Sequence, residues 1–484
     1  MKSDFWQGLS KVSWALLLVS LPFTSFPALS NLFGGTSVAP LSALFLVILL
    51  GVFLLPYLAT QRSIPRQSLP LLGFVVVALV ASVLANFLPI PSFRDTALWK
   101  NALEGLITLF TGVVFYLVTT LIIQDSKQLK SAFVWINLGG IIILIACLFQ
   151  AVAWQINQQY PKAMLDIQSF LTSSGLLYKN RVTGLAFEPS WLAHQLNTLY
   201  IPIWLGFSIK GFSAYKKKLF GKISIENILL VLGIVTLFLS YSRIGWLTTI
   251  FMAAYIVFRS ANTRMNRWLA KKYPATNAST SKSKNIRFLA KLAMWLLLFL
   301  SLVLLILLVG VILARIDPRM GDLFDIERYR NYGFLGWASQ LSFAERVIYW
   351  ISGFQVFLKY PWFGVGLGGS GFFFPEVVPE FGYKLPEVIK YINVLTTIPN
   401  AKNLWVRLLS ETGIAGFIFF ISWIFTQWKD ASFLDKHGQT SFEKTMGYVG
   451  KLFILALVIE GFSVDSFGLP YYWIAMGLIT ATRR

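Results

Sequence analysis

Few side chains in this 484-residue chain could do chemistry, and their types narrow the choice. There is one cysteine, Cys147, and there are two histidines, His194 and His437. A single thiol closes no disulfide within the chain, and two imidazoles build no zinc set. No metal and no cofactor is therefore expected. What remains is a handful of cations and carboxylates beside apolar runs: Arg181, Glu188, Arg243, Arg346 and the Lys402-Asn403 pair. Arginine stays charged at any physiological pH, and its planar fork matches two phosphate oxygens at once. A carboxylate can accept the proton of a hydroxyl. The chemistry on offer is the grip of an anionic group and the activation of a hydroxyl.

The elements that must position these residues are membrane helices. Hydrophobic residues make up 56% of the chain and charged residues 13%, a balance no soluble domain shows. Runs of ~20 apolar residues span a bilayer as helices. They are expected at 12–30, 38–59, 69–89, 103–123, 130–153, 190–209, 225–241, 244–258, 288–313, 404–427, 448–463 and 467–481, about twelve spans. The fold class expected is an all-α polytopic bundle: 1–313 forms spans one to nine, 314–403 a large outer loop, and 404–484 the last three spans. The first apolar run contains Pro22 and Pro27 and no clear small-residue cleavage site, so it reads as a retained helix.

Lysine and arginine set the orientation. With the N-terminus inside, most of the 42 basic residues fall in cytoplasmic segments, including Lys216-Lys217-Lys218 and the cluster from Arg259 to Lys291. The net charge of +21 is then a topology signal that meets anionic inner-leaflet lipid, and no nucleic-acid partner is implied. Both termini are expected to be cytoplasmic.

The outer segments hold the candidate chemistry. Span six opens at Glu188-Pro189-Ser190, span eight after Ser242-Arg243 and span ten after Lys402-Asn403. Outward helix N-termini favour anions, and Arg243, Lys402, Arg346 and Arg181 add full charges. Plainer roles stand beside these. Arg243 could snorkel, Arg346 could pair with Glu345, Lys402 could anchor at the interface, and Glu188 could only cap its helix. Arg407 and Glu411 sit at i and i+4 and read as a pair. His194 reads as a hydrogen-bonding helix residue. In the long loop, Ser342 and Glu345 form a capping-box pattern, and Phe343, Val347, Ile351, Phe354 and Leu358 form an apolar stripe ended by Pro361. That predicts a surface helix. Gly364-Val365-Gly366-Leu367-Gly368-Gly369 fits a dinucleotide pattern, but no strand precedes it. A flexible loop that brings backbone close to a phosphate or sugar is the reading kept for it, with Gly366 in that role.

In this order the segments resemble the O-antigen polymerase and O-antigen ligase superfamily of bacterial envelopes. The matching stretches are Arg181-Val-Thr-Gly-Leu-Ala-Phe-Glu188-Pro189-Ser190, Ser242-Arg243-Ile-Gly245, Arg346 followed by Tyr360-Pro361-Trp-Phe-Gly364-Val-Gly366, and Asn403-Leu-Trp-Val-Arg-Leu-Leu-Ser-Glu411-Thr-Gly413-Ile-Ala-Gly416. Where the family carries His-Asn, this chain has Lys402-Asn403. The resemblance implies a C-type glycosyltransferase fold in the bacterial cytoplasmic membrane, acting without metal and with inversion. The donor would be a glycan on undecaprenyl pyrophosphate and the acceptor a glycan or lipid-linked hydroxyl, with a chain-length regulator or flippase as partners. Arg243 and Arg346 would hold the pyrophosphate, Glu188 would be the candidate base, and Lys402 would act through its charge. Polymerase is favoured over ligase. A lipid-linked oligosaccharide transporter is the alternative of another class, disfavoured because ionisable groups avoid the membrane centre, with Glu460 the main exception.

Overall fold

The structure, a computed structural model, describes residues 2–32, 34–61, 63–94, 96–215, 221, 223–272, 281–316, 321, 325–327, 329–331, 333, 337, 343–394 and 397–484. Among them the fold is all-helical, with isolated β-bridges and no strand. The chain divides into two compact units, 1–246 with 345–484 and 247–344.

The helices, in chain order, are α1 (Lys2–Val19), α2 (Pro27–Leu32), α3 (Ser42–Leu49), α4 (Leu55–Gln61), α5 (Leu69–Leu84), α6 (Leu98–Ile122), α7 (Ser126–Asn157), α8 (Lys162–Leu171), α9 (Pro189–Gln195), α10 (Ile201–Lys210), α11 (Ile225–Leu239), α12 (Arg243–Lys272) and α13 (Ser281–Ile316). After them come α14 (Ala344–Lys359), α15 (Phe374–Val377), α16 (Pro386–Asn393), α17 (Leu404–His437), α18 (Ser441–Glu460) and α19 (Tyr471–Arg483).

Among the described residues, seven helical stretches are long and apolar enough to cross a bilayer: Ser42–Gln61, Arg66–Phe87, Leu98–Ile122, Ser126–Asn157, Arg243–Lys271, Phe288–Leu305 and Leu404–His437. The protein is a polytopic helical membrane protein. The other expected spans are helical but differ from a plain span for visible reasons. α1 stops at Val19, ahead of Pro22, and the chain turns before α2 begins at Pro27. The sixth is divided by a π-helical turn, Leu196–Tyr200, just before Pro202. α18 carries Glu443, Lys444, Lys451 and Glu460, and α19 is short and almost wholly buried. Both meet protein more than lipid.

In the first unit α17 packs on α18, α5 and α19, α19 on α6, and α10 on α11 and α18. Small residues permit the close approaches, as is usual where lipid supplies no hydrophobic drive. A Cβ on Gly206 would lie 2.4 Å from Val449, and one on Gly447 would lie 2.2 Å from the Asp435 amide nitrogen. In the second unit α13 is basic over its first three turns and apolar from Leu292 onward, where it exposes Leu296, Leu297, Phe299 and Leu304.

The predicted surface helix is α14, although its Ser342 cap lies outside the described residues. Its buried face is not the expected stripe. Ile348, Tyr349, Ser352 and Val356 are buried, while Phe354 and Leu358 are exposed. The inward face instead packs Val356 against Val365 and Phe373 of the following loop.

That loop locks into α17. Gly413 takes φ 64°, ψ −169° and breaks the helix. Into the break runs the 361–366 backbone: Ile414 N–H donates to Pro361 O at 2.8 Å, Ala415 N–H to Trp362 O at 3.2 Å, and Val365 N–H to Ser410 O at 3.0 Å. A Cβ at Gly413 would sit 2.3 Å from Trp362 backbone. Gly413→Ala therefore meets both a left-handed φ and a backbone collision, and should lower stability by about 1–3 kcal/mol or more. Thermal unfolding in detergent measures this, and wild-type stability would show the break to be dispensable.

Candidate functional site

The Arg181–Glu188 segment has little regular structure, so its backbone groups need side-chain partners. Gln150 of α7 supplies several: its Oε1 accepts from Thr183 and Gly184 N–H at 2.9 and 2.8 Å, and its Nε2 donates to Gly184 O at 2.9 Å. Thr24 Oγ1 accepts from Phe187 N–H at 2.8 Å. The segment is also stitched to the turn before α12, by Val182 N–H to Leu239 O and Arg181 Nε to Ser240 O, both 3.0 Å. Arg181 thus braces the turn that presents Arg243, the first residue of α12, which is partly buried. Glu188 stands at the N-cap of α9, where its Oε1 accepts from Ser190 Oγ and caps no backbone N–H.

From α12 a chain of polar contacts runs across the first unit. Asn197 Nδ2, in the π-helical turn, donates to Gly245 O at 2.9 Å and to Glu460 Oε1 at 2.7 Å. Glu460 Oε2 lies 3.4 Å from His194 Nδ1, and both side chains are fully buried. His194 faces Glu460, but neither of its ring nitrogens makes a hydrogen bond among the described residues, so the expected hydrogen-bonding role is not realised. At the end of α18, Ser463 N–H donates to Glu460 O at 2.9 Å. Ser463 Oγ accepts from Arg346 Nη1 of α14 at 2.9 Å. Arg346 therefore takes a serine hydroxyl where sequence offered Glu345.

Lys402 completes the set. It sits at φ 47° just before α17, whose N-cap Asn403 accepts from Trp405 and Val406 N–H at 2.9 and 3.2 Å. Leu404 N–H donates to Gly461 O at 2.7 Å, which ties this helix start to the end of α18. A cation at a helix N-terminus needs an anion, and Lys402 has one: its Nζ contacts Glu387 Oε1 of α16 and lies 4.5 and 5.7 Å from the Tyr349 and Tyr391 rings. Tyr349 Oη donates to the same Oε1 at 2.9 Å. Burial pushes the Glu387 carboxyl up, but Lys402, the Tyr349 hydrogen bond and Arg346 outweigh it and hold the group below the ordinary glutamate range. Burial and the same carboxylate raise the Tyr349 phenol, so it stays a donor.

Gly366 is placed differently from an open phosphate loop. Gly364, Gly366 and Gly368 all have positive φ. A Cβ at Gly366 would lie 2.9 Å from Ala85 Cβ and from Ser82 Cα, while Ser82 Oγ accepts from Leu367 N–H at 3.1 Å. The glycines let the backbone press into α5 and α17. The Arg407–Glu411 pair forms at 2.9 Å as its spacing predicts, and Ser370 Oγ adds a bond to Glu411 at 3.2 Å. No cluster of three or more His, Cys, Asp or Glu is present among the described residues.

Sequence reasoning missed Glu387, Tyr349, Ser463 and Asn197. Only one signal pointed at any of them: Lys402 at a positive helix end demands a nearby anion, and Glu387 is one of several acids in the same loop.

Fold and site together define a polytopic membrane protein with Arg243, Arg346 and Lys402 at or beside the starts of α12, α14 and α17. The family model described as O-antigen ligase matches residues 228–421 of the chain. This match supports the resemblance to the O-antigen polymerase and ligase superfamily that the sequence suggested. No curated protein matches the chain.

The Asn197 carboxamide is the joint between α12 and α18. Asn197→Leu leaves Gly245 O and Glu460 Oε1 without that donor and should destabilise by about 1–3 kcal/mol. An unchanged melting temperature in detergent would contradict this.

Proposed function

We propose that the protein transfers undecaprenyl-pyrophosphate-linked oligosaccharide to an acceptor hydroxyl on the outer face of the bacterial cytoplasmic membrane. The observation that carries this is the polar chain from the Arg243 helix start through Asn197, Glu460 and Ser463 to Arg346, and on to Lys402, within a chain that matches the O-antigen ligase family. Arg243 and Arg346 bind the pyrophosphate, and Lys402 helps stabilise the charge that builds as it leaves. The pyrophosphate is already a good leaving group, so no nucleotide is consumed. Glu188, at the end of the segment that Arg181 ties to the turn before α12, would face the acceptor, and Asn403, which caps α17, would help present Lys402.

We favour a polymerase, whose acceptor is a second lipid-linked repeat. The alternative within the same superfamily is a ligase, in which the acceptor is a terminal sugar of another molecule, and the family match is compatible with both. Incubation of purified protein with lipid-linked repeat units separates the two: a ladder of lengths marks a polymerase and a single transfer to a different acceptor marks a ligase.

Arg243→Ala and Arg346→Ala should each lower transfer by at least ~100-fold with normal membrane insertion, and lysine at either site should restore only part. Lys402→Arg should keep much of the activity, while Lys402→Ala and Lys402→Gln lose it. Fully active alanine variants in the same transfer assay would refute the clamp.

A further inference from the structure

The carboxylate that neutralises Lys402 stands where the donor's phosphate is expected to bind, which gives Glu387 two possible states. In the structure its Oε1 is taken by Lys402 Nζ and by the Tyr349 hydroxyl. Its Oε2 accepts no hydrogen bond among the described residues, and the side chain is 40% exposed. The groups around it are Lys402 from the start of α17, Arg346 and Tyr349 from α14, with Glu345 on the same helix, and Tyr391 one turn along α16.

We propose that Glu387 is the proton acceptor for the incoming hydroxyl, held as a counter-ion by Lys402 until the donor pyrophosphate takes that cation. The proposal rests on the glycan-transfer reading. Its logic is electrostatic. While Lys402 and Arg346 serve Glu387, its carboxylate is a weak base. A bound pyrophosphate competes for both cations and brings like charge close. Each effect raises the affinity of the carboxylate for a proton, so the base is strengthened only once a donor is in place. The Tyr349 hydrogen bond keeps Oε1 oriented throughout. In the step itself the acceptor O–H bond breaks and its proton passes to Oε2. The oxygen's electron pair forms the new bond to the anomeric carbon, and the bond from that carbon to the phosphate oxygen breaks, its electrons leaving with pyrophosphate. Glu188 has no such exchange of partners, since its Oε1 accepts from Ser190 in its own helix start.

The experiment compares Glu387→Gln and Glu387→Asp with wild type in full-length protein, using lipid-linked oligosaccharide as donor. Two acceptors are used: the natural hydroxyl acceptor, and azide, which has no proton to remove. Binding of undecaprenyl pyrophosphate is measured alongside. The Gln variant should lose hydroxyl transfer by at least ~100-fold, keep glycosyl azide formation near the wild-type rate, and bind undecaprenyl pyrophosphate several-fold more tightly because a competing anion is gone. The Asp variant should recover part of the hydroxyl transfer. Equal loss with both acceptors in both variants, weaker pyrophosphate binding, or undiminished hydroxyl transfer in the Gln variant would each overturn the proposal. A wild-type protein that transfers to neither acceptor fails the glycan-transfer reading itself, and so the two failures are distinct.

Discussion

The break in α17 at Gly413 is the constraint on which the end of the first unit that carries α14 depends. A helix interrupted inside a membrane protein leaves amide and carbonyl groups that no water reaches, and they must be met by other protein. Here the Pro361–Gly366 backbone meets them. That choice fixes the loop, and the loop fixes its neighbours. Gly364 and Gly366 must be glycine because backbone of α17 and α5 occupies the space a Cβ would fill. Val365 and Phe373 then cover Val356, which sets the rotation of α14 and so the position of Arg346. Ser370 reaches Glu411, already paired with Arg407, one turn from the break.

The electrostatics follow from this frame. Around α14 and the start of α17 the cations have partners that also hold helices: Arg346 is bonded to the loop after α18, Arg407 to Glu411 and Asp465 O, and Lys402 to Glu387. Glu411 is buried and Arg407 mostly so, and their pairing is a structural need, since an unpaired charge there would be severely destabilising. Lys402 and Glu387 are partly exposed, and water screens them. Their pairing can be exchanged at modest cost. This difference separates the ion pair that builds the site from the one able to respond to a ligand.

Much of the architecture was legible in residue order. Apolar runs announced the membrane helices, the Pro361 stop announced α14, and the i, i+4 spacing announced Arg407–Glu411. What was not legible depended on long-range placement. The apolar stripe of α14 points outward because a membrane surface accepts Phe354 and Leu358, so periodicity alone could not say which apolar face meets protein. The glycine run looked like a loop able to reach a ligand, yet it is shaped to fit two helices. Lys402 carried a visible need for an anion, but the loop folds back through α16 to supply Glu387, and nothing in the spacing chose that acid over its neighbours. Arg346 turned from the adjacent Glu345 to Ser463, 117 positions away, because α14 lies on the end of α18.

The most direct test of the account is a structure of the full-length protein in lipid with undecaprenyl pyrophosphate bound. The account predicts phosphate oxygens within hydrogen-bond reach of Arg243, Arg346 and Lys402, with the Lys402–Glu387 contact opened and the Gly413 interlock unchanged. Phosphates bound away from these three side chains, with Lys402 still seated on Glu387, would contradict it.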